Sequence, residues 1–154
     1  MRYLTLIALL AVLFSCDPKR VYEENQEIVG EFWYVDSLKS FEFEVPDATS
    51  RYNLYANITQ QSDYHFYNLY YRYYLRDSTG KELVSDLANI DLFHPKTGEP
   101  LGDGLGDLFD NRDKILSTYE FPYAGKYKIS FQQYMRMDSL PGIKSVGARL
   151  EVAD

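Results

Sequence analysis

The chain has 154 residues, 45% hydrophobic and 16% aromatic, with 16 Lys and Arg against 23 Asp and Glu for a formal net charge of −7. Such a length builds one domain with a real core rather than two, and the composition excludes a disordered protein. The acidic balance excludes nucleic acid as a partner, because its phosphates would be repelled.

The first element is Met1-Arg2 followed by the uncharged run "YLTLIALLAVLF". These are the n-region and h-region of a signal peptide over residues 1–15, too short for a stable spanning helix. Ser15 directly precedes Cys16, the only cysteine, and Leu13 lies three residues before it. The arrangement resembles the lipobox of bacterial lipoproteins. There a small residue admits signal peptidase II, and the thiol takes a diacylglyceryl group as a thioether. Cleavage frees the Cys16 amine for a further acyl chain. Each buried methylene contributes about 0.8 kcal/mol, so two or three chains anchor durably where one does not. Cys16 is expected to be a membrane anchor and not a catalyst, which leaves an exported domain with no disulfide.

Residues 16–30, with "DPKR" and "YEENQE", read as the anchor and a polar tether. The folded domain is expected over 31–154. Within it, apolar residues alternate with period two. In "FEFEV", Phe41, Phe43 and Val45 face one way and Glu42 and Glu44 face water, with Pro46 closing the strand. "YNLYANI" sets Leu54, Ala56 and Ile58 against Asn53, Tyr55 and Asn57. "YNLYYRYYLRD" turns Leu69, Tyr71, Tyr73 and Leu75 inward. "DSTGK" supplies a hairpin turn, and "ELVSDLANIDLF" is its return strand. "YKISFQQYM" carries Tyr127, Ile129, Phe131 and Gln133 on one face, and "VGARLEV" buries Val146, Ala148, Leu150 and Val152.

Seven or eight short strands separated by turn signals predict an all-β chain. The expected fold is a single antiparallel β-sandwich of the immunoglobulin or jelly-roll kind. The "AGKY" step into Tyr127 suits a tyrosine corner, in which the phenol bonds a nearby backbone group.

Candidate chemistry is sparse. Asp103, Asp107, Asp110 and Asp113 in "GDGLGDLFDNRD" could offer oxygens to calcium. Their spacing does not match an EF-hand loop, and the glycines suit a plain mobile turn. His65 and His94 sit in no metal or triad motif, and no serine lies in a G-x-S-x-G setting. No cofactor, metal or catalytic group is therefore assigned. Tyr70, Arg72, Tyr74 and Arg76 point outward from their strand as a ladder of rings and guanidinium groups. Such a ladder suits a partner surface, or simply a set of cross-strand pairs that stabilise the sheet. The triplets "DSL" at 36, "DST" at 77 and "DSL" at 138 resemble the O-glycosylation signal of exported Bacteroidetes proteins, and Asp-Ser is also common turn chemistry.

Taken in order, "SCDPKRVYEE", "FEFEVPDATSRYNLYANI", "GEPLGDGLGDLFDN", "FPYAGKYKISFQQYMR" and "LPGIKSVGARLE" resemble the gliding motility lipoprotein GldH family of Bacteroidetes. The likeness covers nearly the whole chain beyond Cys16. It implies a non-enzymatic, lipid-anchored envelope component that supports adhesin movement and the linked secretion system. Its partners would be membrane lipid through acylated Cys16 and other gliding or secretion proteins. Lipid attachment at Cys16 is the one defined site the resemblance carries over. The mixed charge after the cysteine, with Lys19 and Arg20, points to the periplasmic side of the outer membrane. A different class of function is an envelope-anchored carbohydrate-binding module, with Trp33 or exposed tyrosines as the sugar platform.

Overall fold

The computed structural model describes residues 17–154. The segment read as a signal peptide and the expected lipid-bearing Cys16 both lie outside the described residues. Eleven strands are present: β1 (Arg20–Glu27), β2 (Phe32–Tyr34), β3 (Lys39–Val45), β4 (Tyr52–Gln61), β5 (Asn68–Asp77), β6 (Glu82–Asp91), β7 (Asp103–Leu105), β8 (Leu108–Tyr119), β9 (Gly125–Gln133), β10 (Ser139–Pro141) and β11 (Ile143–Val152). No helix occurs among the described residues. Five strands form one sheet in the order β1-β11-β4-β8-β7, and four form a second in the order β3-β9-β5-β6. The short β10-β2 pair lies beside them. Every pairing is antiparallel. The architecture is thus the expected all-β sandwich, with no sheet closed into a barrel.

The core follows from alternation, because successive side chains on a strand point to opposite faces. Phe41, Phe43 and Val45 from β3, Leu69, Tyr71, Tyr73 and Leu75 from β5, and Tyr127, Ile129 and Phe131 from β9 line one inner face. Opposite them stand Leu54, Ala56 and Ile58 of β4 with Val146, Ala148 and Leu150 of β11. Trimming a buried leucine such as Leu75 to alanine costs about 2–5 kcal/mol.

The tyrosines of β5 also tie the two sheets together. The Tyr71 hydroxyl donates to Asp113 Oδ2 at 2.6 Å, and the Tyr73 hydroxyl donates to the Ile115 carbonyl at 3.3 Å; both acceptors are on β8. A phenol is long enough to cross the gap and polar at its tip, so each ring stays buried while its hydroxyl finds a partner on the other sheet. Burial, helped by the adjacent Asp113 carboxylate, raises the Tyr71 pKa well above the ordinary phenol value. The turn at "DSTGK" forms as expected, with Asp77 Oδ1 accepting the N–H groups of Thr79 (2.9 Å) and Lys81 (3.0 Å). So does the tyrosine corner: the Tyr127 hydroxyl donates to the Tyr123 carbonyl at 2.7 Å.

Three expectations need correction. The stretch read as a tether is largely strand, since β1 pairs with β11 from Arg20 to Glu27. Its inward positions are Tyr22, Glu24 and Gln26. Tyr22 packs on Phe43 at 5.8 Å between ring centroids, and Gln26 Nε2 donates to the Ser40 carbonyl at 2.8 Å. An edge strand whose inner face reaches for polar backbone has no apolar alternation to read.

The second correction concerns residues 102–113, expected to be a plain loop. They form the β7–β8 hairpin and open the longest strand of the fold. The glycines serve that hairpin. Gly106 takes φ of +73° at the turn, and a Cβ on Gly104 would lie 2.3 Å from the Phe109 ring. Finally, Val152 is 36% exposed rather than buried, because β11 ends there beyond the cover of the second sheet.

Candidate functional site

The outer face of the second sheet carries the expected ladder, although its members are not equivalent. Arg76 lies over the Tyr74 ring at 5.3 Å and pairs with Glu82 at 3.2 Å. The Tyr74 hydroxyl donates to Gln132 Oε1 at 2.9 Å. Both residues are engaged within the sheet, as cross-strand pairs commonly are. Arg72 lies over the Tyr134 ring at 5.0 Å and so holds that ring in place. Only Tyr70 is broadly open, at 42% exposure.

Tyr70 opens onto a feature that no single stretch of sequence announces. Phe66, Tyr70, Leu87, Tyr134, Met135, Arg136 and Met137 line a groove of about 530 Å³. Phe66, Tyr70, Leu87 and Tyr134 are all large apolar side chains left exposed there. Rings and thioethers together suit an adaptable apolar contact.

The groove is built, not loose. Beyond β9 the chain continues along β5, with the Tyr134 N–H donating to the Tyr70 carbonyl at 2.8 Å and the Tyr70 N–H donating to Met135 Sδ at 3.3 Å. Gln133, fully buried, accepts the Met135 N–H at 2.9 Å and donates to the Met137 carbonyl at 2.8 Å. One side-chain amide thereby fixes the methionine-bearing bend. Phe66 arrives from the β4–β5 loop, held edge-on to the buried Tyr64 ring at 5.7 Å. Leu87 stands opposite Arg72 on β6. Apart from Tyr70, these residues were not singled out from sequence, because four separate segments supply them. One signal was available: two of the three methionines fall in "QQYMRM", just past a strand end.

The outer face of the first sheet differs in kind. Arg149, 5% exposed, donates to Asp17 Oδ2, to Glu23 Oε2 at 2.6 Å and to Glu151 Oε1 at 2.5 Å. Arg112 adds an ion pair to Glu23 at 3.2 Å, and Asn57 Nδ2 donates to the same carboxylate at 3.0 Å. Burial alone would lower the Arg149 pKa, but its three carboxylate partners outweigh that and raise it. Burial likewise pushes Glu23 up, yet the bonds from Arg149 and Asn57 prevail and leave it below the ordinary value. Asp17 is lowered chiefly by its bond from Arg149.

The acidic residues proposed for calcium do not converge. Asp103 and Asp110 are cross-strand partners, Asp107 sits at the hairpin turn, and Asp113 points to the interior. Asp110 accepts the Thr59 hydroxyl at 2.6 Å, so two of the four carboxylates are already occupied within the protein. Among the described residues no group of three or more His, Cys, Asp or Glu is placed to hold a metal ion. Trp33, considered as a sugar platform, is 1% exposed with its indole N–H donating to the Ser37 carbonyl at 2.9 Å, so it is a core plug. Cys16 lies outside the described residues.

The family model for the GldH lipoprotein matches residues 20–150. A relative from Christiangramia forsetii, named gliding motility lipoprotein GldH homolog, is 38% identical over 151 residues, covering 93% of this chain and 91% of its own. Another, from Flavobacterium johnsoniae and named gliding motility lipoprotein GldH, is 34% identical and covers 96% of each chain. Among solved structures, the infectious bursal disease virus VP2 subviral particle aligns with a TM-score of 0.43 at 12% identity. That alignment covers 89% of this chain and 33% of the viral one. A likeness so slight carries no functional weight.

Proposed function

This chain belongs to the GldH lipoprotein family, and from that premise we propose that it is a lipid-anchored envelope component that holds a partner of the gliding machinery without catalysing a reaction. A lipoprotein role in gliding motility is what its relatives are named for. Acylation at Cys16 would supply the anchor, and the periplasmic side of the outer membrane is the proposed address. The holding surface is the groove of Phe66, Tyr70, Leu87, Tyr134, Met135 and Met137, and the partner is an envelope protein presenting an apolar segment to it. Support of adhesin movement and of the linked secretion system would follow from that hold.

The observation that carries this reading is the concentration of exposed rings beside half-buried methionines on one sheet face, with Gln133 fixing the bend that bears them. Contacts of this kind bind by apolar burial and shape rather than by proton transfer. Photo-crosslinking in cells tests it, with a benzophenone amino acid placed at Tyr134 or, on the opposite face, at Tyr55. The reading expects one dominant envelope-protein adduct from Tyr134 and none from Tyr55. Equal, diffuse adducts from both positions would remove it.

A further inference from the structure

We propose that the domain sits directly on the bilayer with a fixed orientation, the end that carries Asp17 against the lipid headgroups and the apolar groove turned away. The proposal rests on acylation of Cys16. Cys16 is joined to Asp17 by one peptide bond, and Asp17 is already fastened. Its carboxylate is held by nearly buried Arg149 and also accepts the Lys19 N–H at 3.2 Å, while its carbonyl accepts the Arg20 N–H at 3.2 Å. The Lys19 carbonyl accepts the Val152 N–H at 2.9 Å, and the Lys19 ammonium pairs with Asp154. A free run from Asp17 to Lys19 would reach about 10 Å and let the domain swivel. Tied in this way, it contributes almost no slack.

The register then fixes which end faces lipid. Arg20 stands opposite Glu151, Tyr52 opposite both Val152 and Tyr119, and Val45 opposite Gly125. The turn at Ser78 reaches the same end, with its hydroxyl 3.3 Å from that of Tyr123. Exposed side chains there include Arg51, Lys81, Glu120, Lys126 and Asp154. Such charges suit a headgroup layer and would not enter hydrocarbon. Tyr134 and Met137 lie past the far end of β9, so with a rise of about 3.3 Å per residue the groove stands roughly 30 Å from the lipid. A partner must then reach the groove from the aqueous compartment.

The test uses the full acylated chain in phosphatidylethanolamine–phosphatidylglycerol vesicles that carry a nitroxide headgroup quencher. One fluorophore is attached through Ser78→Cys at the near end, another through Lys96→Cys in the loop at the far end. Flotation with the vesicles reports the anchor, and quenching reports the orientation. We expect the protein to float and the Ser78 label to be quenched several-fold more than the Lys96 label. Adding Asp17→Asn, a change at an exposed carboxylate that keeps the fold, should narrow that difference without abolishing flotation. Protein that floats with both labels quenched alike would overturn the orientation alone. Protein that does not float would overturn the anchor and the orientation together.

Discussion

The two outer faces of this sandwich solve the same problem in opposite ways. On the first sheet, the buried guanidinium of Arg149 meets three carboxylates and Arg112 joins the network, so the charges are answered by neighbours in the same chain. On the second, Tyr70, Tyr134 and Leu87 leave apolar area open to water beside methionines. The contrast teaches where an interaction is still wanting. A face whose groups are already paired gains little from a partner, whereas an open apolar groove gains when one covers it.

The largest effect that would break the comparison lies on the paired face. Arg149→Ala removes the shared partner of Asp17, Glu23 and Glu151 and leaves their charges facing one another. Losing one member of a largely buried ionic cluster costs about 3–5 kcal/mol. A fall of many degrees in Tm is expected, read by circular dichroism, and an unchanged Tm would mean the cluster does not hold β1 to the sheet. On the open face the corresponding change is Gln133→Ala, which frees the Met135 N–H and the Met137 carbonyl. The expected cost is about 1–3 kcal/mol. Hydrogen exchange should speed up at Met135 and Met137 and stay slow across the first sheet.

A smaller effect sharpens the contrast through pH. Asp17 and Glu23 have folded-state pKa values below their ordinary ones, so each favours folding when ionised. That stabilisation is fully present above the ordinary carboxylate range, near pH 4–5, and is lost as pH falls through the lowered values. Chemical denaturation from pH 6 to pH 3 should therefore lose stability in the wild type and less of it in Glu23→Gln.

The fold was legible where hydropathy alternates and illegible where polar groups face inward. β3, β4, β5 and β9 bury the residues that their period-two pattern selects, down to the Tyr127 hydroxyl at its corner. β8 escaped notice because Asn111 and Asp113, on its inward side, meet Gln60 and Tyr71 instead of apolar neighbours. β1 escaped for a related reason, because Glu24 and Gln26 occupy its inward positions while Glu23 joins the Arg149 network on the other face. The ladder of Tyr70, Arg72, Tyr74 and Arg76 was visible as alternation. Its division into engaged and open members was not, because Glu82, Gln132 and Tyr134 decide that from β6, from β9 and from just past its end. The groove is a property of four segments brought together, and sequence spacing carries no trace of that proximity.

The most direct test pairs Tyr70→Ser with Tyr134→Ser in a gliding host that lacks its own copy of the protein. Both side chains are exposed, so abundance and Tm should stay near wild type, as surface changes usually do. The account predicts that these cells spread as poorly as cells without the protein and that the envelope partner no longer co-purifies with it after chemical crosslinking. Cells that glide normally, with the partner still captured, would contradict it.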